Sequence, residues 1–194
     1  MATHAERRQD TRDRLLRAGA EVFTTLGLEA ATIRDLVKAS GLAQGSFYNH
    51  FDTKEAVFDA LVEPLVQEVR AAVGRAQGAA TTAEAFVREG FRAYVAVLAA
   101  HPGAIPLVER NLGRFRAAME GSPSFQGLVA DIQAQLEARQ HQGFFRSFDA
   151  AWMAWSMVAT AVEVVLQAAR AGRLDLEAVT DFLTALFLPA LIQG

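Results

Sequence analysis

No cysteine occurs in the 194 residues. That excludes disulfides, thiolate zinc sites, iron–sulfur clusters and cysteine nucleophiles. An excess of one charge is also missing: 19 Lys and Arg face 22 Asp and Glu, a formal net charge of −3. A sequence-blind polyanion binder is strongly basic, so any nucleic-acid site here has to be local. Long apolar runs are absent too. The longest nearly uncharged one, Ala150 to Val162, is followed by Glu163 and falls short of the roughly 20 residues of a membrane helix. The N-terminus, MATHAERRQDTRDR, has no apolar signal core. These absences predict a cytoplasmic protein without a membrane partner. Lysine is scarce: Lys38 and Lys54 stand beside 17 arginines.

What is present is apolar and helical. Hydrophobic residues make up 52% and charged ones 21%, enough for a packed core and too apolar for disorder. Nearly every segment beyond ten residues has period 3.6, and none alternates as a strand. The expected fold is all-α. The spacing predicts helices over 10–26, 33–39, 44–51 and from residue 53 onward, with Asp10/Asp13, Thr32/Asp35 and Asp52/Glu55 as capping pairs. Pro64 predicts a kink or break in the fourth helix, because proline lacks the N–H and crowds the preceding turn. A linker is expected at 74–82. Further helices follow over Val87–Leu98, 105–111, Phe125–Leu136, 149–171 and 176–192.

Residues 32–54, TIRDLVKASGLAQGSFYNHFDTK, have the layout of a short helix, a glycine turn and a second short helix. Ile33, Leu36, Val37 and Leu42 can lock the pair against the first helix, with Phe47 and Phe51 beneath the second. Gln44, Gly45, Ser46, Tyr48, Asn49 and His50 are left on the outer side. Such a face suits a major groove, where Gln and Asn can pair with adenine. Charge agrees weakly: residues 1–54 carry eight Lys/Arg and seven Asp/Glu, the remainder eleven and fifteen.

Phe23, Gly27, Thr32-Ile33, Leu36, Gly41, Gly45, Tyr48, His50-Phe51 and Lys54-Glu55 follow an order and spacing that resemble the TetR family of bacterial transcriptional repressors. The resemblance is specific over about residues 10–60. It implies a helix-turn-helix DNA-binding domain at 1–52, a connecting helix at 53–73, and a helical ligand-binding and dimerisation domain at 74–194. It implies phosphate-positioning roles for Thr32, Tyr48, His50 and Lys54. Arg34, Gln44, Gly45 and Asn49 would reach base edges, and Ser46 could do either. One position departs from the family: Ala43, where Ser is common, cannot cap the recognition helix.

The remainder offers candidates for sensing and assembly. Seven of the 13 Phe lie between residues 86 and 148. Phe91, Tyr94, Phe115, Phe125 and Phe145, with Arg110, Arg114, Trp152 and Ser156, are candidates to line an apolar cavity for an apolar or aromatic inducer. The helix over 149–171 is apolar on most sides, which a monomer's surface helix does not need. Trp155, Ala159, Val162, Glu163 and Leu166, with Phe182 and Leu186 of the last helix, are candidates for a homodimer seam. Glu137 and His141 have helical spacing but lack a third ligand, so neither metal nor cofactor is expected. No nucleophile elbow, phosphate-cradling glycine loop or carboxylate pair stands at recognisable spacing, which argues against an enzyme. The reading is a ligand-responsive dimeric repressor on a palindromic double-stranded operator. The alternative is a helical small-molecule-binding protein with a vestigial helix-turn-helix.

Overall fold

The structure is a computed structural model and describes residues 3–192. All regular structure among them is helical. The ten helices are α1 (His4–Thr25), α2 (Ile33–Ser40), α3 (Gln44–Tyr48), α4 (Lys54–Ala79), α5 (Ala83–Ala100), α6 (Ala104–Arg110), α7 (Leu112–Gly121), α8 (Pro123–His141), α9 (Ala150–Arg170) and α10 (Leu176–Leu191). The chain divides into two compact units. One comprises Met1–Pro64 with Pro106–Met119, the other Leu65–Ile105 with Glu120–Gly194.

In the first unit α1 packs on α2, and α2 on α3. Leu15, Phe23, Leu36, Phe47, Val57 and Phe58 are its fully buried centre. Gly19 lets α4 come close: a Cβ there would stand 2.6 Å from Val57 Cγ1. Gly41 ends α2 with φ 66°, a conformation that costs glycine little. Arg14 donates to the Ser40 carbonyl at 2.9 Å, tying α1 to that helix end. In the second unit α10 packs on α5, and α9 lies against α8 and α10. Phe86, Val87, Leu136, Ala154, Leu183 and Leu191 are fully buried there. Arg88 bridges α5 to α10 through Glu177 and Asp181. Arg70 crosses Gly127, where a side chain would collide with its guanidinium, to pair with Asp131.

Several boundaries differ from the sequence expectation. α1 begins at His4 rather than near Asp10, because Thr3 and Glu6 form a reciprocal capping box about two turns earlier. Thr53, not Asp52, accepts from the Ala56 N–H at the start of α4. Pro64 does not end α4, which continues to Ala79 through much of the expected linker. α3 is shorter than expected and Ala43 gives it no side-chain cap. The Thr32/Asp35 box agrees with the sequence reading; Asp149 caps α9, and Gly143 and Gly172 are left-handed. α9 is long and apolar enough by length and composition to cross a membrane, with mean hydropathy 1.3. Counting only to Glu163 missed this, since one carboxylate does not break an apolar window. In the structure α9 is packed among helices of its own unit.

Candidate nucleic-acid interface

α3 has five residues, too few for a helix that holds its own shape. It is held from beneath. Phe47 is fully buried, its ring edge-on to Tyr48 at 5.4 Å and 6.2 Å from Phe51. Arg12 of α1 lies over the Phe51 ring at 5.3 Å. With that side occupied, Gln44, Gly45, Tyr48 and Asn49 are exposed and Ser46 half-buried. Tyr48 keeps 52% of its surface open. A Cβ at Gly45 would meet nothing within 4 Å. Nothing inside the protein therefore requires glycine there. Arg34 and Lys38 on α2 are also exposed.

Two predicted phosphate-positioning residues are engaged within the protein. Lys54 Nζ donates to the carbonyls of Leu28, Glu29 and Ala31 at 2.6, 3.1 and 2.7 Å. Those three bonds use every hydrogen of the ammonium and fix the loop between α1 and α2. The Thr32 hydroxyl accepts from the Asp35 N–H and donates to the Asp35 carboxylate at 2.6 Å. These bonds hold the Asp35 carboxyl below its ordinary value. His50 is half-buried. Desolvation, then the charges of Arg8 and Arg12, push its imidazole below the ordinary value, so it is neutral at neutral pH.

The sequence reading did not find the side chains that brace this unit. Asn111, at the break between α6 and α7, is buried and fully paired. Its Oδ1 accepts from the Leu28 N–H at 2.5 Å, and its Nδ2 donates to the carbonyls of Phe23 and Leu107 at 3.0 and 2.7 Å. Arg114, predicted to line a cavity, pairs with Asp59 of α4. Arg110, also predicted there, lies beside Gly27. Apart from Leu107, the partners are 55 to 88 residues away in sequence, so no local pattern announces them.

The family model of the bacterial regulatory proteins of the tetR family matches residues 15–61. The HTH-type transcriptional repressor KstR2 of Rhodococcus jostii (strain RHA1) is 31% identical over 146 residues, 70% of this chain and 68% of that protein. The chain belongs to the TetR family. As a TetR-family protein it is a helix-turn-helix, DNA-binding transcription regulator of the repressor class. The uncharacterised HTH-type regulator YvdT of Bacillus subtilis is 43% identical over 54 residues, 28% of each chain. Among solved structures, the fatty acid degradation regulator FadR of Bacillus halodurans has the same fold, with TM-score 0.78 at 20% identity over 92% of this chain and 95% of that one. FadR of Bacillus subtilis, solved with stearoyl-CoA, has TM-score 0.74 at 17% identity over 91% and 97%.

The remaining candidates of this TetR-family chain fall on different surfaces. Phe115, Arg110 and Arg114 belong to the first unit, while Phe91, Tyr94, Phe125, Phe145, Trp152 and Ser156 belong to the second. Phe91, Phe115, Phe125 and Phe145 are buried. Trp152 and Ser156 are exposed, Trp152 at 78%, on the side of α9 that also carries Trp155 and Ala159. Trp155 is 42% open on α9, and Phe182 and Leu186 of α10 are 55% and 48% open. Val162 and Glu163 flank them half-buried, and Glu163 accepts from Gln167. Leu166 is buried in its own unit instead, because the inward stripe of α9 runs Ala154, Met157, Val158, Ala161, Val165 and Leu166.

Proposed function

We propose that the chain acts as a dimeric, cytoplasmic repressor that binds a palindromic operator and is released by a small molecule. It takes no membrane partner and catalyses no reaction. The observation that carries this reading is α3, an uncapped five-residue helix seated on Phe47 and Phe51 with polar side chains turned outward. Gln44, Asn49 and Arg34 present hydrogen-bonding groups suited to base edges, while Tyr48, Ser46 and His50 offer donors to phosphate. Gly45, unconstrained from within, would let the duplex approach the backbone. The residue ranges 1–52, 53–73 and 74–194 keep the roles of reader, connecting helix and ligand-binding and dimerisation domain.

Assembly rests on the open apolar faces of α9 and α10. Trp155, Ala159, Phe182 and Leu186 form a patch of the kind that soluble monomers rarely expose, and a second copy of the same patch would cover it. A two-fold dimer would set two α3 helices into major grooves about 34–36 Å apart. Trp152 and Ser156 adjoin that face and are assigned to its rim. For the ligand, the buried aromatic side chains of the second unit support an apolar molecule. The neighbour solved with stearoyl-CoA and the Mycobacterium tuberculosis neighbour titled a ketosteroid transcriptional regulator, with TM-score 0.65, favour the same class.

Fluorescence anisotropy against DNA flanking the chain's own gene, across a salt series, tests the reading. Tight binding to one fragment with a steep salt slope is expected. Tyr48→Ala should weaken binding about tenfold or more, as loss of a positioned contact does, with the melting temperature unchanged. Weak, sequence-blind binding indifferent to Tyr48 would sink the reading in favour of a vestigial helix-turn-helix.

A further inference from the structure

Buried polar groups in folded proteins nearly always have partners, so an exception asks for a reason. Among the described residues the second unit holds one. Gln77, near the end of α4, is 2% exposed, and no protein donor reaches its buried Oε1. The amide is there because α5 makes room for it. A Cβ at Gly90 would stand 3.0 Å from Gln77 Nε2 and 3.2 Å from its Cγ.

Tyr94 lies on the same face of α5, one turn after Gly90. Helical side chains lean toward the N-terminus, so its ring projects back over the turn that Gly90 opens. The ring is half-buried, yet burial pushes its hydroxyl well above the ordinary phenol value. Among the described residues the Tyr94 hydroxyl makes no hydrogen bond. The antiparallel pairing of α4 and α5 sets Glu68 beside His101 and Gln77 beside Gly90.

We infer that the Gln77 amide and the Tyr94 hydroxyl form one recognition point for an uncharged oxygen-bearing group, a hydroxyl, carbonyl or amide, on an otherwise apolar ligand. Gln77 Oε1 accepts a hydrogen from the ligand, and the Tyr94 hydroxyl donates to it. Neither the Gln77 amide nor the Tyr94 phenol carries a charge, which is why the group recognised is neutral. The nearest cation to Gln77 is committed elsewhere: Arg139 donates to the Gln77 backbone carbonyl at 3.1 Å and lies over the rings of Phe86 and Phe144. A site built to pair a polar group discriminates strongly against ligands without one. This inference rests on the ligand-responsive reading above and names the chemistry of its ligand.

Calorimetric titration of the full chain with two matched probe pairs tests it: 2-naphthol against 2-naphthoate, and 1-decanol against decanoate. At neutral pH the two alcohols should bind, and the two carboxylates should bind at least about tenfold more weakly, because an ion in an uncharged site keeps its desolvation cost. Gln77→Leu and Tyr94→Phe should each weaken alcohol binding about three- to tenfold, as loss of one hydrogen bond does. Gln77→Leu should keep the wild-type melting temperature or exceed it, since it removes an unpaired buried group, and Tyr94→Phe should keep it. Carboxylates binding as tightly as alcohols would overturn the inference and transfer the site to Arg139. Alcohol affinity unchanged in either variant would overturn it too, leaving Gln77 and Tyr94 as ordinary core. So would binding of none of the four probes, and a chain that still bound its operator would then keep the repressor reading. Conversely, alcohol binding that leaves the DNA complex intact would remove the ligand response and keep the site.

Discussion

The two units treat buried polarity in opposite ways. In the first, Asn111 makes three hydrogen bonds, Lys54 places three on carbonyls of the loop after α1, and Arg14 closes the end of α2. In the second, Gln77 Oε1 is buried without a protein donor and four large apolar side chains on α9 and α10 stand open. A part that must hold a five-residue helix in one position gains from polar ties, since such bonds demand one geometry. A part that receives other molecules keeps unfinished surfaces for them. The difference teaches where rigidity and where recognition have been placed in this chain.

The largest expected effect breaks that contrast directly. Asn111→Leu leaves buried backbone groups unpaired and should cost about 3 kcal/mol in urea denaturation, while Gln77→Leu should cost nothing. Equal losses would erase the distinction. Next is the open face. If the proposed dimer closes through this face, Phe182→Asp with Leu186→Asp should give a monomer by sedimentation velocity and weaken operator binding about 100-fold, as loss of a central interface cluster does. A variant that stays dimeric would place the seam elsewhere. Lys54→Met sharpens the account of the first unit. It should lose about 2 kcal/mol of stability, from hydrogen bonds to a charged group, and leave the salt slope of DNA binding unchanged. A slope reduced by about one would instead make Lys54 a phosphate contact.

The smallest effect concerns His50. Its folded value lies below the ordinary 6.5, so the folded state favours neutral imidazole. The stability this contributes is present above that ordinary value and is lost as pH falls through the folded one. Melting temperatures should therefore fall on acidification, and His50→Gln should flatten part of that fall. Identical profiles would remove His50 from the acid response.

Much of the first unit was legible because its signals are local. Thr32 and Asp35 are three residues apart, Gly41 follows α2 directly, and the apolar spacing of Phe47 and Phe51 fixes which side of α3 faces in. Asp149 and Gly172, at the two ends of α9, are local signals of the same kind. Local logic failed where two signals lie close together: Asp10 and Asp13 have cap spacing, but Thr3 and Glu6 form the cap. It also failed where a residue's partner is remote. Arg114 looked like a free polar handle until Asp59 was brought beside it. Lys54 also ties three carbonyls of the loop after α1, a role that no local signal announced.

By itself the sequence determined that this chain is all helix, that residues 32–54 form a helix-turn-helix, and that α9 is too apolar to face water alone. Periodicity, caps and glycines are properties of neighbouring residues, and the chain states them wherever it folds. Only the tertiary structure decided which apolar stripe of α9 goes inward, so that Leu166 is core while Trp152 and Trp155 stay open. It alone joined α6 and α7 to the DNA-binding unit through Asn111, and left Gln77 against Gly90 without a donor. Those outcomes depend on which helix arrives beside which, and a helix's own sequence does not encode the identity of its neighbour.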